Sequence, residues 1–191
     1  MAGTSAKLLH VDLSTRQTRI EEVPETVMRK YLGGGALAAH VLLRDMPPGV
    51  DPLGPDNVLV FTTSVINGLS LSGTNRYTAA AKSPLTGGYG ESEAGGWWGP
   101  ELRAAGWEGV VIRGRAESPA YLWLKDGQVE IRDARPYWGK LSGEVQDGSS
   151  RSSATSGSAS SRPGSPASAA CASQRSSTSS STSTAAAGSA P

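Results

Sequence analysis

One end of this chain contains nothing from which a hydrophobic core could be built. From residue 148 to residue 191 there is no Leu, Ile, Val, Met, Phe, Tyr or Trp, and no acidic side chain. Such a segment cannot bury enough apolar surface to offset the entropy of ordering, so 148–191 is expected to be a disordered Ser/Ala-rich tail. Folding must then be the work of residues 1–147. Apart from Gln174, every tail residue is Gly, Ser, Arg, Ala, Thr, Pro or Cys, and all of these are read from codons with G or C at the middle base. A GC-rich gene read out of frame yields that alphabet. Back-translated with G/C-ending codons and shifted by one frame, residues 152–159 can read E-L-G-D-E-R-V-R, and residues 185–191 can read G-R-G-G-V-G-A. The expectation is a frameshift near Asp147.

Charge and cysteine content exclude several function classes. Lys and Arg number 18 against 17 Asp and Glu, so binding nucleic acid or an anionic membrane through bulk charge is not expected. A single Cys excludes a disulfide framework and any multi-thiolate metal site made by this chain alone. No apolar run reaches the ~20 residues that span a bilayer, and the first residues lack the basic and apolar regions of a secretory signal. A cytoplasmic protein is expected.

Residues 7–13 and 18–23 read as a strand hairpin. Pro24 and Glu25 open a helix through Tyr31, since proline is tolerated in a first turn and acid suits the helix N-terminus. Gly33, Gly34 and Gly35 interrupt it before an apolar helix over 36–46. Strands are predicted at 58–63, 77–82, 109–113, 120–124 and 128–132, with a short helix at 101–107. Asp126-Gly127 is a strong two-residue hairpin signal. Strands dominate, so the class is α+β, β-rich, with antiparallel sheets and a few helices.

The generic motifs give little. Gly33 to Ala38 fits a loose dinucleotide fingerprint, but that fingerprint needs a strand before it and the preceding residues read as helix. No phosphate-binding P-loop and no H-E-x-x-H zinc motif occurs. His10 and His40 lie in apolar contexts that suit structural roles. Glu91 and Glu93 stand two apart in what reads as a loop, and they are not taken as an acid/base pair. Lys82 reads as a solvated charge at a strand end. The stretch 73–107 packs Gly, Ser, Thr and Asn around a few charges, and the backbone N–H groups near Gly95 and Gly96 make a candidate anion cradle. Arg76 could present a forked cation to a phosphate or pterin oxygen.

Several motifs in fixed order resemble the N-terminal domain of tungsten-dependent aldehyde ferredoxin oxidoreductases. They are Tyr31-Leu32-Gly33-Gly34, Arg76-Tyr77, Ala81-Lys82-Ser83-Pro84-Leu85-Thr86-Gly87, Ala94-Gly95-Gly96, the run from Glu101 to Trp107, and Ile131-Arg132-Asp133-Ala134. Family members commonly continue with E-x-G-x-x-x-V-x and G-R-G-G-x-G-A stretches, like the two strings recovered from the shifted frame.

The resemblance implies an oxidoreductase that converts aldehydes to carboxylic acids at a tungsten (or molybdenum) ion held by two pyranopterin dithiolenes. Electrons would leave through a [4Fe–4S] cluster to ferredoxin. It implies that residues 1–147 are an incomplete pterin-binding domain with no metal ligand and no catalytic residue of its own. Carried over by position, Arg76, Glu93 and Gly95, flanked by Ala94 and Gly96, are the pterin contacts. The family often has Asn where this chain has Glu93. The cluster cysteines would follow Asp147, so the chain alone is expected to be inactive. The sequence leaves open whether the protein is an oligomer and which aldehyde it uses. A non-catalytic β-rich binding or structural module with a disordered linker is the alternative.

Overall fold

The computed structural model describes residues 6–141, 143–145, 168–172 and 185–186. They fall into two compact units, Met1–Ala116 and Glu117–Pro191. The first is a mixed six-stranded sheet with helices, an α+β arrangement.

Strands β1 (Ala6–Asp12) and β2 (Gln17–Val23) form the N-terminal hairpin, in register from Ala6 opposite Val23 to Asp12 opposite Gln17. The turn is held by Asp12, whose Oδ1 accepts the backbone N–H groups of Ser14 and Thr15 at 2.8 and 3.0 Å. That is the local bonding that makes Asp a turn former. Helix α1 (Glu25–Tyr31) and helix α2 (Gly34–Asp45) follow. Between them Leu32 and Gly33 adopt φ of 58° and 92°, so the glycine run bends helix into helix as expected. No strand precedes it, which removes the dinucleotide reading.

Strands β3 (Leu59–Thr62), β4 (Tyr77–Lys82) and β5 (Tyr89–Ala94) form a meander. After helix α3 (Trp98–Ala104), strand β6 (Gly109–Arg113) enters between β1 and β3. The spatial order is β2-β1-β6-β3-β4-β5, antiparallel throughout except for β1 and β6, which run parallel. A parallel neighbour needs a long crossover, and the whole of α1 to α3 supplies it.

Both faces of this sheet are covered. On one, Leu37, Ala38, Val41 and Leu42 form the apolar stripe of α2 and pack on Leu8, Val60, Ala80 and Val111. Full burial of one such aliphatic side chain contributes about 1.5–3 kcal/mol. On the other, Trp98 of α3 meets Phe61 and Tyr77 at ring-centroid distances of 5.5 and 4.5 Å, and Leu102 is fully buried. Among the described residues no helix is long and apolar enough to cross a membrane.

The second unit is built on β7 (Ala120–Lys125) and β8 (Gln128–Asp133). Asp126 and Gly127 join them with φ of 49° and 78°, the positive values that a two-residue hairpin turn demands. Ala120, Leu122 and Leu124 alternate inward. In the segment expected to be a tail, the described residues are two short strands. Strand β9 (Ser168–Ala172) pairs antiparallel with β7, and β10 (Ala185–Ala186) pairs antiparallel with β9. Such pairing uses main-chain groups and requires no apolar side chain. The rest of 148–191 lies outside the described residues.

Candidate functional site

Residues 89–94 carry no alternating apolar pattern, yet they form edge strand β5, with Thr78 opposite Glu93 and Tyr77 opposite Ala94. This corrects the loop reading of Glu91 and Glu93. The register sets Arg76 and Gly95 side by side just beyond the last pair. A methyl group on Gly95 would stand 3.8 Å from Arg76 Nε and 3.7 Å from the Asn75 carbonyl oxygen. Arg76 is exposed, and no hydrogen bond or ion pair among the described residues engages its guanidinium. The Glu93 carboxylate is likewise exposed and unpaired among them. Gly96 has φ of 99° and no atom within 4 Å of the place a side chain would take. Arg76, Glu93, Ala94, Gly95 and Gly96 thus meet at one end of the β4–β5 pair, where a forked cation, a carboxylate and bare backbone face solvent together.

The neighbouring charges behave differently. Tyr89 directs its hydroxyl to Glu91 Oε2 at 2.7 Å and to the Gly35 carbonyl oxygen at 3.1 Å. Burial first, and then the Glu91 carboxylate, push the phenol well above its ordinary range. Glu91 lies over Gly35, where a side chain would overlap its carboxylate. Tyr89 therefore fastens β5 to the start of α2 with Glu91 beside it, while Glu93 has no such partner among the described residues. Lys82 is not a solvated strand-end charge. Its Nζ donates to the Val50 carbonyl oxygen at 2.6 Å, and its backbone N–H donates to Asn57 Oδ1 at 3.2 Å. Both bonds tie the proline-rich loop before β3 to β4.

The two histidines are structural, as their contexts indicated. His40 stacks on Tyr31 at 4.5 Å. His10 Nε2 lies 2.6 Å from Glu21 Oε2, so the imidazole proton sits on that nitrogen and is donated to the carboxylate. Arg44 grips Glu21 with two bonds of 2.6 and 2.8 Å and Asp45 with two more, and Arg113 adds a contact to Asp45 at 2.9 Å. Burial lowers the His10 pKa against the pull of Glu21. Burial alone would raise Glu21 and Asp45, but the Arg44 bonds overcome it and hold both carboxyls below their usual values. Among the described residues no three His, Cys, Asp or Glu side chains gather as a metal site.

One buried polar residue had no signal in the sequence. Asn67 is 2% exposed and donates from Nδ2 to the Arg76 carbonyl oxygen at 2.6 Å. It belongs to no motif, and only the packing reveals it.

Comparison with known proteins agrees with this architecture. The family model of the aldehyde ferredoxin oxidoreductase N-terminal domain matches residues 8–186. A tungsten-containing aldehyde ferredoxin oxidoreductase of Thermococcus kodakarensis is 42% identical over 146 residues, which are 76% of this chain and 24% of the relative. The aliphatic sulfonate oxidoreductase, WOR-like subunit, of Pyrococcus furiosus is 37% identical over 142 residues, 73% of this chain and 22% of the relative. In the solved active-site complex BamBC of benzoyl coenzyme A reductase with 1,5-dienoyl-CoA, one chain superimposes with a TM-score of 0.75 and 32% identity. That match covers 78% of this chain and 23% of the other. The chain therefore spans about a quarter of the length of the relatives it matches.

Proposed function

Because the chain belongs to the aldehyde ferredoxin oxidoreductase family, as its N-terminal domain, we propose that the end of the β4–β5 pair seats a tungsten (or molybdenum) bis-pyranopterin cofactor. The observation that carries this is the Arg76 guanidinium, without a partner among the described residues, beside side-chain-free Gly95. A planar fork can give two charge-assisted hydrogen bonds to an oxyanion or a ring edge. Gly95 and Gly96 leave room for a flat heterocycle to approach the backbone. Glu93 can accept from an exocyclic amine, where the family more often has Asn. These residues fit a pterin and offer no ligand to its metal, which suits an ion held by the cofactor's own sulfurs.

When bound, the cofactor supplies the centre at which an aldehyde is oxidised to a carboxylic acid. This domain's part is to bind and orient it. Relatives named for different activities share the domain, so the choice of substrate lies in other residues of the full protein. Ferredoxin is the proposed electron acceptor, reached through a [4Fe–4S] cluster. A polypeptide with one Cys does not hold that cluster by itself. Residues 1–147 are the family-like part, and 148–191 are a frameshift product.

Three experiments test the proposal. Sequencing the gene across the codons for residues 146–151 and beyond is expected to show an open shifted frame that encodes cluster cysteines. An intact original frame in related strains overturns the frameshift. In the restored full-length protein, purified anaerobically, Arg76→Ala is expected to lower tungsten and pterin per polypeptide more than Lys82→Ala does. Equal content in the two variants removes Arg76 from the site. Aldehyde-dependent viologen reduction by the 191-residue chain is expected to stay at background.

A further inference from the structure

We propose that Asn67 is the positioning residue of this site, the buried carboxamide that sets where Arg76 stands relative to Gly95 and Gly96. The inference rests on the reading that Arg76 meets a pterin. Asn67 lies in the connection from β3 to β4, and its backbone N–H donates to the Ser64 carbonyl oxygen at 2.9 Å. Its amide nitrogen donates to the Arg76 carbonyl oxygen. The opposite orientation would set oxygen against oxygen, so the amide has one sense only. The same nitrogen stands 2.6 Å from the place a methyl group on Gly99 would take.

One side chain therefore touches both arms of the site. It holds the main chain of Arg76, which leads into β4, and it packs against Gly99 of α3, the helix that follows Gly95 and Gly96. A residue with a Cβ at position 99 would push the amide away. Asn67 Oδ1 is buried and has no hydrogen-bond partner among the described residues. Among the described residues the side-chain hydrogen bond that this buried carboxamide makes is the one to the Arg76 carbonyl oxygen. The surrounding bonds hold the same loop. Arg103 Nη1 donates to the Ser64 carbonyl oxygen at 2.6 Å, and the Thr74 hydroxyl bonds the Leu71 carbonyl oxygen at 2.9 Å. The Thr74 carbonyl oxygen also accepts the Arg76 N–H at 3.0 Å, a bond made locally along the chain, and the Asn67 amide adds a side-chain bond to the Arg76 carbonyl oxygen from the far end of the loop.

The test uses the 191-residue chain and 6-carboxypterin as a fluorescent probe, with urea midpoints measured in parallel. The parent chain is expected to bind the probe, and Arg76→Ala to abolish binding. Asn67→Leu, close in volume but unable to donate, is expected to weaken it about tenfold, equivalent to about 1.4 kcal/mol. Gly99→Ala presses on the same amide from the other side. It is expected to weaken binding in the parent but to have no effect on the Asn67→Ala background. A general loss of stability would not produce that dependence, and it keeps the proposal testable if Asn67→Leu fails to fold. If Arg76→Ala abolishes binding while Asn67→Leu, or Gly99→Ala where the former does not fold, binds like the parent, the role of Asn67 is overturned and the pterin reading stands. If Arg76→Ala binds like the parent, or the parent does not bind, the pterin reading fails and this inference fails with it.

Discussion

Gly33 lies against the end of β3 so closely that any side chain on it would overlap the Thr63 carbonyl oxygen, the same oxygen that accepts the Gly34 N–H at 2.7 Å. The helix-to-helix bend is thereby fastened to the sheet by its backbone, and the Thr62 hydroxyl adds a bond to the Gly34 carbonyl oxygen at 2.9 Å. Gly33 also holds φ of 92°, outside the range that L side chains favour. Gly33→Ala is expected to cost more than about 3 kcal/mol, adding a steric clash to the ~1–3 kcal/mol of a backbone conformation that L residues rarely adopt. Gly49, at φ of 79°, has nothing within 4 Å, so Gly49→Ala carries only the conformational cost. Urea midpoints of the two variants check the difference.

Acid is expected to weaken the first unit in two steps. The His10 pKa is lowered from 6.5 by burial, so the unfolded chain takes up that proton first and stability falls as pH drops below about 6.5. Glu21 and Asp45 are held below 4.5 and 3.8, so their contribution is complete above those values and is lost as pH falls through the lowered folded pKa values. His10→Gln should remove the first step and keep the second. Urea midpoints measured from pH 2 to pH 8 separate them, and an unchanged first step in the variant would assign it elsewhere.

Lys82→Met is expected to destabilise the chain by about 1–2 kcal/mol through loss of the charge-assisted bond to Val50. Cofactor content of the restored protein should be unaffected. Thermal melts together with metal analysis check both halves of the statement.

Gly95→Val should fold normally, because the nearest atoms to its new Cβ are at ordinary contact distance, 3.7 Å and beyond. The valine would cover the bare backbone beside Arg76, so metal and pterin per polypeptide should fall. Glu93→Asn should leave both stability and cofactor content within error, since the Glu93 carboxylate has no partner among the described residues to lose. Melting temperature and cofactor content, measured on the same preparations, decide both.

What could be read from the residues was whatever periodicity or a special turn had imposed. The run of β4 and β6, the apolar stripe of α2 and the Asp126-Gly127 turn each follow from local pattern. Strand β5 escaped because Tyr89 to Ala94 is mostly exposed, and its pairing with β4 holds it in place. Helix α3 begins three residues before the expected start because Pro100 falls in its first turn, where a missing N–H costs nothing. Arg76 and Gly95 were singled out through motif order, and their adjacency comes from a strand that the pattern did not reveal. Asn67 and the Lys82–Val50 bond depend on which loops meet in space, and spacing along the chain does not carry that information.

The position of β6 also governs the order in which the sheet can be assembled. It is the last of the six strands to leave the ribosome, yet it sits between β1 and β3. Before Gly109 to Arg113 is synthesised, the β1–β2 hairpin and the β3–β4–β5 meander have no strand to join them. Each leaves an inner edge, lined by Leu9 on one side and Phe61 on the other, without its partner. Arrival of that short segment closes both edges at once, which makes it the expected point of commitment in folding and places the long-range contacts late. Once Arg113 is in place every strand of the six-stranded sheet has been made, and the residues that follow are not needed to complete its strand order.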